Sequence, residues 1–435
     1  MKKKYLFIFM FFWANFSFAQ TESNKAEKWK FGFQYTTITQ YKPSFSAKYS
    51  GENSLLTEEE SKTSLTSTMY FGYKLGKRTE IYVNPELAGG SGLSKALGVA
   101  GFPNGETFRV GSPDPKIYLA RAYLKHTFPL SDENEMIADE QNQFIGEQPT
   151  SYFSVVAGKF SMADFFDKNK YSHDPRTQFQ NWSLMSNGAW DYAADVRGYT
   201  LGIMFELSKA TWAIRFASAL LPKVANGAEM DFTLREARSE TIEFDKSYRF
   251  GSQKGTIRLL AFRNQTNMGS YAEARNMSSN NIDITLTRTE GRTKYGFGLN
   301  IEHDFNQNIG FFGRLGWNDG QNETWVFTEI DQTTSLGMVL NGNLWKRKAD
   351  IWGIAWVMNG ISEQHQGYLK AGGKGFMLGD GNLNYAPELI GETYYSFSLG
   401  NFLTLSPNYQ FIINPAYNAD RGLVHVFSLR CRVEI

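Results

Sequence analysis

From Val424 to Ile435 apolar and polar positions alternate: Val424, Val426, Ser428, Arg430, Arg432 and Glu434 make one face, and Phe427, Leu429, Cys431, Val433 and Ile435 the other. Successive side chains of a strand point to opposite faces, so this segment carries one greasy face and one largely polar face. Alternation over about ten residues is the pattern of a strand with lipid outside and a watery lumen inside. It recurs in Trp29, Phe31, Phe33, Tyr35, in Trp212, Ile214, Phe216, Leu220, in Tyr295, Phe297, Leu299, Ile301, and in Leu403, Leu405, Tyr409, Phe411. The opposite phase holds Lys30, Gln34, Arg215, Asn300, Glu302, Asn408 and Gln410. Sixteen strands are predicted, at 29–41, 64–75, 80–88, 117–128, 152–159, 196–207, 211–221, 240–250, 255–265, 293–303, 309–318, 333–343, 350–358, 391–399, 402–412 and 424–435. The fold class expected is all-β, a transmembrane antiparallel β-barrel.

Between these strands short and long connections take turns. Short links at 76–79, 208–210, 251–254, 304–308, 344–349 and 400–401 alternate with long ones at 42–63, 89–116, 160–195, 222–239, 266–292, 319–332, 359–390 and 413–423. Short periplasmic turns and long extracellular loops are the barrel arrangement. One short-side link breaks the rule: 129–151 is long and acidic (Asp132, Glu133, Glu135, Asp139, Glu140, Glu147) and is expected to be a solvated, partly disordered excursion. No short repeat or Pro/Gly/Ser linker divides the chain, so residues 20–435 are expected to form a single barrel domain. A soluble β-sandwich or propeller shares the alternation.

Residues 1–19 read as an export signal: Lys2, Lys3 and Lys4, an apolar run from Tyr5 to Phe18, and Ser17-Phe18-Ala19 as a small-x-small cleavage site. The run is shorter than the ~20 residues of a spanning helix, which favours removal over anchoring. No later stretch approaches eighteen consecutive apolar residues, so any membrane crossing falls to strands. Forty glycines, 22 Tyr and 35 Phe suit a large antiparallel barrel with aromatic belts. A net charge of +1 offers nothing to nucleic acid, and the single Cys431 makes no intrachain disulfide.

The stretch Gly158-Lys159-Phe160-Ser161-Met162-Ala163-Asp164-Phe165-Phe166-Asp167, then Asp174-Pro175-Arg176-Thr177-Gln178-Phe179, then Asn181-Trp182-Ser183-Leu184-Met185-Ser186-Asn187-Gly188-Ala189-Trp190-Asp191-Tyr192, resembles the signature of the carbohydrate-selective outer-membrane porins of the OprB type. Tyr82-Val83-Asn84-Pro85-Glu86, Gly101-Phe102-Pro103-Asn104-Gly105-Glu106, Pro222-Lys223-Val224-Ala225-Asn226-Gly227, Gly316-Trp317-Asn318-Asp319-Gly320 and Asn414-Pro415-Ala416-Tyr417-Asn418 extend the resemblance along nearly all of the mature chain. It implies a sixteen-stranded barrel in the outer membrane of a Gram-negative bacterium that admits small saccharides. Some relatives are described as manganese porins, so the family name leaves the solute open.

A sixteen-stranded barrel leaves an aqueous channel unless something folds into it. The 160–195 connection is the expected constriction, because it interleaves Asp164, Asp167, Lys168, Asp174, Arg176, Asp191 and Asp195 with Phe165, Phe166, Phe179, Trp182, Trp190 and Tyr192. Sugars present hydroxyls in one plane and C–H faces in the other, so a sugar path needs charged groups beside aromatic faces. Packing of the loop against the wall explains the same aromatics. Counting strand phases puts Asn84, Glu86, Arg121, Lys159, Arg215 and Arg314 on the lumen side, where they either contact solute or form ion-pair ladders that stiffen the wall. Glu106 and Arg109 are spaced to pair with each other. These groups and the loop residues Asp164, Arg176, Trp182, Trp190, Asp191, Tyr192 and Asp195 are the pore candidates.

The five histidines are scattered, so no metal site and no cofactor are expected; His425 and Ser428 lie on opposite strand faces, which argues against catalysis. Expected partners are small saccharides, outer-membrane lipids, the barrel-assembly machinery and, as an open alternative, further copies in a homotrimer. Two rivals stand: a divalent-cation porin, which requires a surplus of inward carboxylates, and a structural or adhesive surface barrel with a blocked lumen.

Overall fold

The computed structural model describes residues 28–107, 113–277, 282–327 and 329–435; the export-signal expectation and Arg109 lie outside them. In chain order the strands are β1 (Trp29–Lys42), β2 (Glu60–Gly76), β3 (Thr79–Gly90), β4 (Lys116–Pro129), β5 (Asn134–Ile137), β6 (Gly146–Pro149), β7 (Tyr152–Phe160), β8 (Thr200–Lys209), β9 (Trp212–Ala219), β10 (Arg238–Phe250), β11 (Gln253–Met268), β12 (Thr289–Asp304), β13 (Ile309–Asn318), β14 (Gln332–Asn341), β15 (Ile351–Gly360), β16 (Glu388–Leu399), β17 (Leu403–Ile413) and β18 (Val424–Glu434). All except β5 and β6 join one closed antiparallel barrel, each beside its sequence neighbour, with β1 pairing β18 to close it. Each of the sixteen predicted strands has its counterpart. Closure leaves no unpaired edge, which is what strands in hydrocarbon require.

Phase decides which solvent each side chain meets. Phe31, Leu336 and Leu429 face outward, while Gln34, Ser335 and Arg430, in the opposite phase of the same strands, are buried on the lumen side. Aromatics gather at both rims: Phe128, Phe153 and Phe205 run along the periplasmic side at 6.0 and 6.2 Å, and Tyr295 and Phe297 flank Trp317 at 5.9 and 6.1 Å on the other. Two of the short periplasmic turns use glycines at positive φ, Gly251 (62°) and Gly400 (79°), a conformation that costs other residues more. In β4 the pairing shifts between Asn84 and Pro85, whose partners are Arg121 and Leu119. The extra residue, Ala120, lets Leu119 face outward and Arg121 inward despite their equal parity.

The 129–151 link departs from the expectation of a partly disordered excursion. It folds as a hairpin, β5 against β6, and its tip returns to the barrel wall. The reason lies in two residues among the acids. Phe144 is buried beside Tyr82 at 5.9 Å with the Lys74 ammonium 4.5 Å from its ring centre, and Asn142 exchanges two hydrogen bonds with Asn84, of 3.0 and 2.7 Å.

Candidate functional site

The segment from Ser161 to Tyr199 enters the lumen and is held there by wall side chains that bond its peptide groups. Glu392 of β16 accepts from the N–H groups of Gln180 and Asn181, at 2.6 and 2.9 Å. Arg430 of β18 donates to the carbonyls of Pro175, Thr177 and Gln178, at 2.6–2.9 Å. Arg314 of β13 donates to Asp167 Oδ1 at 3.1 Å and to the Ser172 and Leu184 carbonyls at 2.6 and 3.0 Å. Asn300 of β12 and Glu243 of β10 complete the ring of tethers on Asp167. Gly298 and Gly316, paired across β12 and β13, make room for Asn187: a Cβ at either would collide with its amide. Buried peptide groups must be paired, and here the wall supplies the partners.

A second loop enters beside it, carrying the Gly101–Glu106 stretch that the resemblance includes but that was not among the expected constriction residues. Glu388 accepts from the N–H groups of Ala100 and Gly101, at 3.0 and 2.8 Å, and Gln40 and Gln410 both donate to the Pro103 carbonyl, at 3.1 and 2.8 Å. Phe102 of this loop stacks on Trp182 at 5.0 Å, locking the two loops together.

Between these loops and the wall lies a narrow passage of about 230 Å³. One side is a charged ladder. Arg121 grips Asp164 with two parallel bonds of 2.7 and 2.6 Å, and Arg176 spans Glu106 at 2.8 Å and Glu86 at 3.0 Å while also reaching Thr68. Tyr118 and Tyr199 donate to the other oxygen of Glu86. Trp182, Tyr192 and Phe327 supply an aromatic surface to the same passage, with Phe327 4.6 Å from Trp182 and 5.1 Å from Tyr192. Burial alone would lower the Arg176 guanidinium, but Glu106 and Glu86 outweigh it and hold its pKa well above the arginine range. Asp174 stays below the carboxylate range: burial raises it, and Arg432 and Arg176 more than compensate. Burial, then Arg314, pushes His173 down to about 4, so its ring is neutral at pH 7.

Of the sequence candidates, Glu86, Arg121, Asp164, Arg176, Trp182 and Tyr192 meet at this passage. Asn84 sits on the lumen side, bound to Asn142. Arg215 is also inward, bound to Glu206, Glu243 and Asp245, away from the narrowest part. Arg314, Trp190 and Asp191 are buried supports; burial raises Asp191 against the pull of Lys294 and of the Trp325 and Val326 N–H groups it accepts from. Asp195 caps the turn before β8 through the N–H groups of Arg197 and Tyr199. Lys159 departs from its expected lumen orientation. It pairs with Ala122 and Leu201, in phase with the outward Leu124 and Ile203, and its ammonium lies 3.5 Å from Asp195 at the extracellular end. A long stem lets a lysine at a rim reach a polar partner from an outward position. Glu106 receives Arg176 and Thr66; its expected partner Arg109 lies outside the described residues. Tyr118, Tyr199, Arg197 and Phe327 also belong to the passage or its support and were not anticipated. The described residues hold no cluster of three or more His, Cys, Asp or Glu suited to a metal ion.

A closed sixteen-stranded barrel with outward apolar belts and a polar lumen narrowed by in-folded loops defines an outer-membrane porin. The chain belongs to the carbohydrate-selective porin, OprB family, whose model matches residues 52–435. Its fold is similar to that of OprB from Pseudomonas putida solved at high pH, with a TM-score of 0.70 and 14% identity over 94% of both chains. The low-pH structure of that protein matches with a TM-score of 0.51 and 12% identity, over 94% of this chain and 93% of that one. Porin AaxA of Chlamydia pneumoniae is 21% identical over 295 residues, 66% of this chain; the match spans only 56% of that relative's length.

Proposed function

We propose that the protein lets small saccharides cross the outer membrane down their gradient. The observation that carries this is the meeting, in one narrow passage, of the Arg121–Asp164 and Arg176–Glu86–Glu106 ladder with the Trp182, Tyr192 and Phe327 surface. A pyranose needs both: hydroxyls exchange water for fixed donors and acceptors, and C–H faces stack on rings. Because each arginine is already closed on carboxylates, the ladder offers hydroxyl-binding edges without a large net charge. Binding is then shallow enough for release, which a diffusion channel needs. The family description supports a carbohydrate solute. In the same reading Arg314, Trp190, Asp191, Asp195 and Arg215 position the frame, Asn84 holds the hairpin, and residues 1–19 direct export before barrel assembly.

The test is the current of the purified protein in planar bilayers during stepwise addition of glucose and maltose. A saturable fall in current supports a sugar path. An absence of channels means a blocked surface barrel, and a current that responds to manganese but to neither sugar means a divalent-cation porin; either result overturns the proposal.

A further inference from the structure

Below the passage the lumen widens into a chamber of about 700 Å³, and the hairpin formed by β5 and β6 makes its floor. Residues 140–143 line it, and Gln141 lines the passage as well, so the hairpin tip stands where one opens into the other. The chamber's charges differ in kind from those of the ladder. Its acids are mostly engaged: Glu206 by Arg215 at 2.9 Å, Glu302 by the Lys170 N–H at 2.7 Å and Arg258 at 3.2 Å, and Asp164 by Arg121 at 2.6 Å. Among the described residues, neither Lys125 nor Lys168 has a carboxylate within ion-pair distance, and the Nη1 groups of Arg121 and Arg258 lack acceptors. Against these, among the described residues that line the chamber, stands one carboxylate outside any ion pair, Glu140, out on the hairpin.

Donors without acceptors in a confined space are the makings of an anion site. From this we infer that the chamber is a second solute subsite that takes an oxyanion, the carboxylate or phosphate carried by a small acidic saccharide. The proposal rests on the sugar-channel reading and narrows it. A neutral sugar leaving the passage gains nothing from the two lysines. One bearing an oxyanion meets Lys125 on the wall of β4 and Lys168 on the constriction loop, over a floor that slows its exit. The hairpin thereby acts as the lower bound of a two-stage path, with a hydroxyl-reading stage above and a charge-reading stage below.

The experiment compares the half-blocking concentrations of glucose, glucuronate and glucose 6-phosphate, added on the hairpin side of the intact protein in planar bilayers. In 0.1 M KCl both acidic sugars are expected to act at concentrations about tenfold lower than glucose, and the advantage to shrink in 1 M KCl as screening rises. In Lys125→Gln/Lys168→Gln the ratio falls toward one. It is kept in Lys125→Arg/Lys168→Arg, which preserves charge and reports on folding, and in Lys254→Gln, which removes a periplasmic-end charge outside the chamber. Equal potency of glucose and the acidic sugars in the parent, or an undiminished ratio in the double glutamine variant, overturns the subsite. If glucose alone lowers the current, only the subsite fails; if no sugar does, the sugar-channel reading fails with it.

Discussion

Arg176 is where the electrostatics of the passage can be tested most directly. Its guanidinium bridges Glu106 at 2.8 Å and Glu86 at 3.0 Å, and Arg176→Ala leaves two carboxylates without their shared cation. A unit charge roughly 5 Å from a passing ion is worth about 1–3 kcal/mol between the dielectric of water and an effective value near 20. With a screening length of about 10 Å in 0.1 M salt, the lower end of that range should survive. About 1 kcal/mol is roughly a fivefold change in the cation-to-anion permeability ratio. Because the two glutamates hold the Arg176 pKa well above its ordinary range, the parent keeps this charge at every usable pH, so the comparison is free of its titration. The assay is the zero-current potential across a tenfold KCl gradient, which should move toward the cation limit in Arg176→Ala. Arg176→Lys sharpens the reasoning: a single ammonium keeps the charge but not the planar fork that spans both carboxylates. It should therefore retain most of the parent's potential while responding more weakly to sugar. An Arg176→Ala potential indistinguishable from the parent's would refute the claim that this ladder faces the ion path.

Arg314→Met removes bonds to Asp167, Ser172 and Leu184 at a fully buried position, and breaking a buried pair of this kind costs about 3–5 kcal/mol; a lower temperature of barrel unfolding and a larger, noisier single-channel current are expected. His173, neutral at pH 7 because burial and Arg314 push it down to about 4, gains charge only on acidification, so the shift toward anion selectivity between pH 6 and pH 4 should shrink in His173→Gln. By the same linkage the unfolded chain protonates this ring first, and its contribution to stability declines as pH falls from 6.5 toward 4, measurable as a smaller acid-induced loss in the variant.

The barrel was legible because alternation is a local property that each strand displays on its own: Val424 to Ile435 states its two solvents without reference to any other segment. Register irregularities are not local. Parity from Leu119 conflicts with parity from Arg121, and only the extra residue at Ala120 reconciles them. Lys159 failed for a related reason, since a charged residue near a strand end can sit in the outward phase and still reach a carboxylate. The constriction loop was readable from its mixture of charges and rings, but the division of labour inside it was not. Arg121 and Arg314 have the same chemistry and the same predicted face, yet one lines the passage and the other is sealed beneath the loop. What separates them is which partners arrive from 164–184, a three-dimensional fact. In 129–151 six acids mask the two residues that dock the hairpin, Asn142 and Phe144, whose value depends on meeting Asn84 and Tyr82 on β3.

Glu392, Arg430 and Arg314 grasp the constriction loop mainly by its main-chain N–H and C=O groups. Scaffold and tooling are thereby separable. Every residue type except proline offers the same N–H and C=O pair, so a side chain that lines the passage without tying loop to loop, such as Arg197, can be exchanged while the mounting stays bolted in place. A lineage under changing nutrient supply would retune what it imports by swapping a few tips rather than redesigning the wall, and libraries randomised at those tips should yield a high proportion of intact pores.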